Sequence, residues 1–288
     1  MRKLKLISLL LLSVSVNAFA FPEAPVNDLN FRPSLIFKNL QTDTYDFEGI
    51  VKLNNCSGSL IKLEGQSNDA MAIVMTNGHC VPRGLFGGFL KPGEVWSNKA
   101  VNRRMKIFKD AETLFNITAT KIIYATMTDT DMALYELDET YNEIMKRTGV
   151  TALSLSSQRP VAGTNIEIIS GYWERGYSCA IDGFVYSLLE ADWTFTDSIR
   201  YTKGCDTIGG TSGSPIIATA TREVIAINNT SNVSGERCTM NNPCEVDSAG
   251  NYFVQKGLRY GQQTYDVYSC LTAQKELSLE VPGCNLPK

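Results

Sequence analysis

The sequence predicts an all-β protein of two lobes joined by a short helix. Three observations predict it. Short apolar runs bounded by Gly, Asn or Asp recur along the chain, one helical pattern stands near the middle, and eight cysteines follow an apolar leader. Barrels or a sandwich would satisfy that pattern. The 288-residue chain is long enough for one two-lobed core or two small domains.

The leader comes first. Arg2, Lys3 and Lys5 form a basic start, Leu6 to Val16 an apolar run, and Ala18-Phe19-Ala20 a small-residue cleavage site. This reads as a signal peptide over 1–20, its apolar run too short to span a bilayer. The residue directly after the cut is Phe21 rather than cysteine and no later run approaches spanning length, so a soluble secreted or periplasmic product without a stable membrane anchor is expected. A net charge of −3 without a basic stripe argues against nucleic-acid partners. The cysteines suit an oxidising compartment and up to four disulfides. None stands in a CxxC or Cys/His metal spacing, which speaks against a zinc site; no cofactor and a monomer are expected.

Residues 21–45 lack periodicity and read as a lead-in or pro-segment. A first β lobe is expected over 46–137, with strands at Gly49 to Leu53, Ser59 to Leu63, Met71 to Met75, Met105 to Phe108, Phe115 to Tyr124 and Met132 to Leu137. A connector follows over 138–155. Its helix runs from Asp138 to Lys146, where Tyr141, Ile144 and Met145 recur at helical spacing. The second lobe, 156–271, has strands at Ile166 to Ile169, Phe184 to Tyr186, Asp197 to Tyr201, Val224 to Ile227 and Tyr252 to Val254, then a closing helix over Gln262 to Leu271. Residues 272–288 form an irregular extension tied down by cysteine.

The chemistry converges on four short blocks. Gly209-Gly210-Thr211-Ser212-Gly213-Ser214-Pro215 sets a serine in a tight glycine turn before apolar Ile216-Ile217, as a nucleophilic hydroxyl beside free backbone N–H groups requires. The single histidine, His79, ends an apolar strand in Thr76-Asn77-Gly78-His79-Cys80. Upstream stands Asn55-Cys56-Ser57-Gly58-Ser59. A Cys56–Cys80 bridge would fix the residue beside the histidine and contribute roughly 3–4 kcal/mol by loop closure. Asp131, in Asp129-Thr130-Asp131-Met132-Ala133-Leu134, abuts an alternating strand and is placed to orient His79 and stabilise its imidazolium.

Together, Cys-Ser-Gly-Ser-Leu-Ile, Thr-Asn-Gly-His-Cys, Asp-Met-Ala-Leu and Gly-Thr-Ser-Gly-Ser-Pro resemble the signature blocks of the chymotrypsin/trypsin family of serine endopeptidases, in the order His, Asp, Ser. The serine block resembles that of the bacterial secreted branch, glutamyl-endopeptidase-like and trypsin-like. The resemblance implies two six-stranded antiparallel β-barrels with a crevice between them. It makes Ser212 the nucleophile, His79 the general base, Asp131 its orienting acid, and the N–H groups of Gly210 and Ser212 the oxyanion hole. Protein or peptide substrates follow, cleaved through an acyl-enzyme.

The resemblance also marks a specificity pocket of Asp206, Thr207 and Asn228. Asp206, six residues before Ser212, matches the acid that attracts Arg or Lys in trypsin; its bland reading is a loop residue satisfying backbone donors. Asn228 stands where glutamyl endopeptidases carry a pocket histidine, which disfavours Glu preference. Thr211 replaces the aspartate that pairs with a freed N-terminus in trypsin-like zymogens, so activation through that ion pair is not expected. By resemblance Cys179 pairs with Cys205. Cys238, Cys244, Cys270 and Cys284 allow three pairings, of which Cys238–Cys244 and Cys270–Cys284 are favoured by proximity.

An α/β-hydrolase needs a histidine after the serine, and zinc peptidase motifs need two histidines. A subtilisin-like order would use an Asp before His79, such as Asp46 or Asp69, on an α/β pattern this chain lacks. The competing classes are a silent protease-fold binding or adhesion module and a structural, disulfide-rich surface protein.

Overall fold

The computed structural model describes residues 45–82 and 87–288. The leader and almost all of the lead-in lie outside the described residues. Two sheets account for the strands, and each closes on itself.

The first contains β1 (Ile50–Lys52), β2 (Ser57–Lys62), β3 (Met71–Thr76), β4 (Val95–Phe108), β5 (Leu114–Thr126) and β6 (Met132–Thr140). Its order is β1-β4-β5-β6-β3-β2, and β1 also pairs with β2, which makes a six-stranded antiparallel barrel. β7 (Leu153–Ser154) pairs in parallel with the end of β2. The second contains β8 (Asn165–Ser170), β9 (Arg175–Glu190), β10 (Trp193–Tyr201), β11 (Pro215–Ala218), β12 (Val224–Ser231) and β15 (Arg259–Gln263). Pairing of β9 with β10 closes the ring β10-β15-β12-β11-β8-β9. A hairpin of β13 (Cys244–Val246) and β14 (Tyr252–Phe253) hangs from the far end of β9.

The apolar runs bounded by turn residues lie in strands where the sequence places them. β4 and β9 run much longer than their apolar segments. The first half of β4 is polar and largely exposed (Ser97, Asn98, Lys99), so pairing with β5 rather than burial makes it a strand. β15 was not expected as a strand; the expected closing helix took in only its last residues, Gln262 and Gln263. Arg-Tyr-Gly-Gln-Gln has no strand pattern, yet Tyr260, Gly261 and Gln262 are buried between β10 and β12. The closing helix therefore begins later, at Tyr265–Cys270, and is a 3-10 helix.

The connector helix, α1, spans Tyr141–Thr148 rather than starting at Asp138. Thr140 ends β6 and caps the helix through a reciprocal box with Glu143, and Gly149 closes it in the left-handed region. Tyr141 and Ile144 face inward as expected; Met145 is exposed and Thr148 is buried instead.

The disulfides are Cys56–Cys80, Cys179–Cys205, Cys238–Cys244 and Cys270–Cys284. The tail beyond Leu271 returns to the first barrel, where Leu286 is buried and Tyr124 Oη donates to the Pro287 carbonyl at 3.2 Å. One apolar cluster contains Leu60, Val74 and Tyr135 of the first barrel with Val185, Leu188 and Phe195 of the second. Among the described residues no helix is long and apolar enough to cross a membrane.

Candidate active site

His79 sits in a short 3-10 turn, Gly78–Cys80, directly after β3. The Cys56–Cys80 bridge ties that turn to the residue before β2. Asp131 immediately precedes β6, the neighbour of β3, so sheet pairing alone brings acid and histidine together. Both carboxylate oxygens serve His79. Oδ1 accepts the backbone N–H at 2.9 Å, and Oδ2 lies 2.6 Å from ring Nδ1. Asn77 Nδ2 donates to the Asp131 carbonyl at 2.8 Å and fixes the backbone of the acid.

Asp131 is 1% exposed and the His79 side chain 21%, which leaves the other ring edge accessible. Burial pulls the imidazole pKa down. The charge of Asp131, its hydrogen bond and the charge of Glu190 more than offset this, so the pKa lies above the usual 6.5.

The serine block is held from both barrels. Ser57 N–H, on β2, donates to the Ser212 carbonyl at 2.8 Å, and Ser57 Oγ donates weakly to the Gly210 carbonyl at 3.4 Å. Gly213 has φ +80°, and a Cβ there would lie 2.2 Å from both the Ser57 carbonyl oxygen and Thr76 Oγ1, so only glycine fits. Fully buried Thr211 accepts the Ile208 N–H on its hydroxyl at 3.2 Å and donates its own N–H to the Ile208 carbonyl at 3.0 Å. The loop is thus closed by a local turn where trypsin-like zymogens use an ion pair. Gly210 and Ser212 N–H groups donate to nothing among the described residues.

His79, Asp131 and Ser212 all line one cavity of about 330 Å³ between the barrels. At rest Ser212 Oγ donates to the Asn229 carbonyl at 3.3 Å, and no hydrogen bond joins it to His79 among the described residues. Such contacts commonly tighten only when substrate is bound. A Cys56–His79–Cys80 cluster has ligand-like spacing, but its two sulfurs are bonded to each other, so no thiolate is left for a metal.

The expected pocket residues divide. Thr207 and Asn228 line the cavity, and Asn228 Oδ1 accepts the Tyr201 hydroxyl at 3.3 Å. Asp206 does not. Its side chain is 74% exposed and pairs with Arg259 at 3.0 Å, while Arg259 Nε also holds the Thr207 carbonyl. The acid turns outward because its partner is there, and it cannot floor the pocket.

Glu190, at the end of β9, lines the cavity and was missed from sequence. It is 8% exposed, and its Oε1 accepts the Asn241 N–H at 2.8 Å. Burial raises its carboxyl pKa against the hydrogen bonds of Thr230 and Asn241. Phe89, Ile208, Val233 and Met240 give the cavity an exposed apolar rim. Nothing local marks these positions; they meet only because the barrels do.

A family model described as a trypsin-like peptidase domain matches residues 56–227, more than half of the chain and all three predicted catalytic positions. The chain belongs to the trypsin-like peptidase domain family. Its fold is that of a trypsin-like serine protease, with two closed barrels and few helices. Among curated proteins none matches this trypsin-like chain significantly.

Solved structures similar to this trypsin-like domain include the MamO protease domain from Magnetospirillum magneticum in its apo form, 11% identical over 78% of this chain and 97% of that one, with a TM-score of 0.49. The active form of the Rv3671c protease from M. tuberculosis is 14% identical over 91% and 96%, with a TM-score of 0.47. The Nocardiopsis protease NAPase is 14% identical over 75% and 91%, with a TM-score of 0.43.

Proposed function

We propose that the protein is an exported serine endopeptidase in which Ser212, His79 and Asp131 form the catalytic triad. The observation that carries the reading is the doubly bonded Asp131–His79 pair lining the same cavity as Ser212. Ser212 Oγ attacks the scissile carbonyl carbon as its proton passes to His79 Nε2. The oxyanion takes the N–H groups of Gly210 and Ser212. Collapse breaks the C–N bond, and the amine leaves with the proton from His79. Water, deprotonated by His79, then hydrolyses the acyl-serine. Asp131, bonded to Nδ1, keeps that nitrogen protonated so that Nε2 is the basic one. Export is supported by the basic-apolar-small leader and the four disulfides.

A preference for Arg or Lys side chains is retained, with the acid reassigned from Asp206 to Glu190. Among the described residues no lysine or arginine pairs with Glu190, so this largely buried stretch of the cavity wall offers its carboxylate no basic side chain. A basic substrate side chain in this cavity supplies that charge. Peptide-library profiling should show Arg/Lys preference, lost by roughly tenfold or more in Glu190→Gln, since a hydrogen bond to a charged group contributes about 1.5–3 kcal/mol. Asp206→Ala should leave the profile unchanged. A neutral preference in the wild type would remove Glu190 from this role.

The Ser212 hydroxyl turned toward Asn229 favours a second reading, a silent binding module. A fluorophosphonate separates the two. Labelling lost in Ser212→Ala supports the peptidase, and folded protein that takes no label supports the module.

A further inference from the structure

The oxyanion site depends on how one peptide unit is turned. Gly209 and Gly210 have no side chains to hold their linkage, and a Cβ at Gly209 would meet nothing within 4 Å. The linkage is instead held at its oxygen. Trp173, in the turn between β8 and β9, donates its indole Nε1–H to the Gly209 carbonyl at 2.7 Å.

That turn is itself tied down. Trp173 N–H donates to Ser170 Oγ at 3.2 Å, Tyr172 N–H to Ser57 Oγ at 3.1 Å, and Lys52 Nζ pairs with Glu174 at 2.7 Å. The Tyr172 and Trp173 rings pack edge to face with centroids 5.0 Å apart.

A trans peptide is planar, so its C=O and the following N–H point in opposite directions. Gly209 and Ser212 line the cavity and Trp173 does not. With the Gly209 oxygen drawn toward the indole, the Gly210 N–H faces the other way, away from the indole. Gly210 has φ +89°, and a Cβ there would lie 2.8 Å from Tyr172 Cδ1 and 3.0 Å from Trp173 Nε1, so the indole and the glycine fit each other.

We propose that Trp173 is a positioning residue whose indole N–H fixes the Gly209–Gly210 peptide with the Gly210 donor aimed at the developing oxyanion. This rests on the peptidase reading above. Trp173 touches no reacting atom; it keeps a glycine linkage from turning its donor away.

Trp173→Phe keeps an aromatic ring and removes the donor. The readout is fluorophosphonate inactivation at saturation, in which the Ser212 Oγ–P bond forms, the P–F bond breaks, fluoride leaves and the hydroxyl proton goes to His79. The maximal inactivation rate should fall about 10- to 100-fold, less than the 10²–10³ lost with a donor outright, while the half-saturating concentration stays within about twofold. An unchanged melting temperature would show that the fold is intact. An inactivation rate within about twofold of wild type, or a change in half-saturation alone, overturns the proposal.

If wild-type protein takes no label, the peptidase reading fails, and crystal structures of both proteins decide the Trp173 claim separately. The Gly210 N–H should face the cavity in the wild type and turn away in Trp173→Phe. The same orientation in both overturns it.

Discussion

Asp131 commits both carboxylate oxygens to one residue, and the consequence is a histidine whose position and proton affinity are set together. General-base work needs neutral imidazole. With the His79 pKa raised by Asp131 and Glu190 against the pull of burial, the acid limb of a kcat/KM profile should lie above 6.5. Asp131→Asn should lower kcat by about 10⁴ and shift that limb down, because burial is then opposed only by the charge of Glu190. A limb unmoved in Asp131→Asn would detach the pair from catalysis. The same shift bears on stability. A group whose folded pKa exceeds its unfolded value stabilises fully below the unfolded pKa, here 6.5, and loses that contribution as pH rises through the folded value. Urea midpoints of wild type and Asp131→Asn should therefore differ more below pH 6.5 than well above the folded pKa. Equal differences on both sides would contradict the linkage.

The geometry of the candidate site depends on elements that touch across the barrels. β2 supplies Ser57, whose N–H holds the Ser212 carbonyl, and the loop before β6 is bound to β10 through Asp129 N–H to the Thr194 carbonyl at 3.1 Å. Gly213→Ala should break the first link, because its Cβ collides with Ser57 at a positive φ. A thermal shift to lower temperature together with lost fluorophosphonate labelling is expected; normal labelling would show that β2 does not set the serine. The Cys56–Cys80 bridge closes the loop between β2 and the histidine turn. Replacing both cysteines by serine should cost about 3 kcal/mol in denaturant unfolding and depress activity further than stability alone explains. Thr140→Ala, which removes the cap of α1, should cost about 1 kcal/mol and leave labelling intact, since α1 lies away from the cavity.

At the scale of the whole molecule, a shared apolar cluster joins the two barrels. Leu188 belongs to the second barrel, is fully buried, and packs in the cluster that holds Leu60 and Val74. Leu188→Ala should therefore lower the stability of both lobes by about 2–5 kcal/mol in one cooperative transition. Two separated transitions, with only one shifted, would show independent lobes. Strands such as β3 were legible because a short apolar run is bounded by turn residues, as in Met71 to Met75, which is buried along almost its whole length. β15 was not, because its burial comes from neighbours rather than from its own apolar residues. The histidine, acid and serine were legible as blocks, because nucleophile turns and strand ends impose residue types locally.

By itself the sequence determined the β pattern, the family blocks and the positions of His79, Asp131 and Ser212 within them, since each depends on residue type and short spacing. Only the tertiary structure decided which acid faces the cavity and which group holds the Gly209 carbonyl. Asp206 is adjacent to the serine block yet turns out to Arg259, whereas Glu190 and Trp173 arrive from distant turns. Closing the two barrels fixes those directions, and adjacency in the chain carries no information about them.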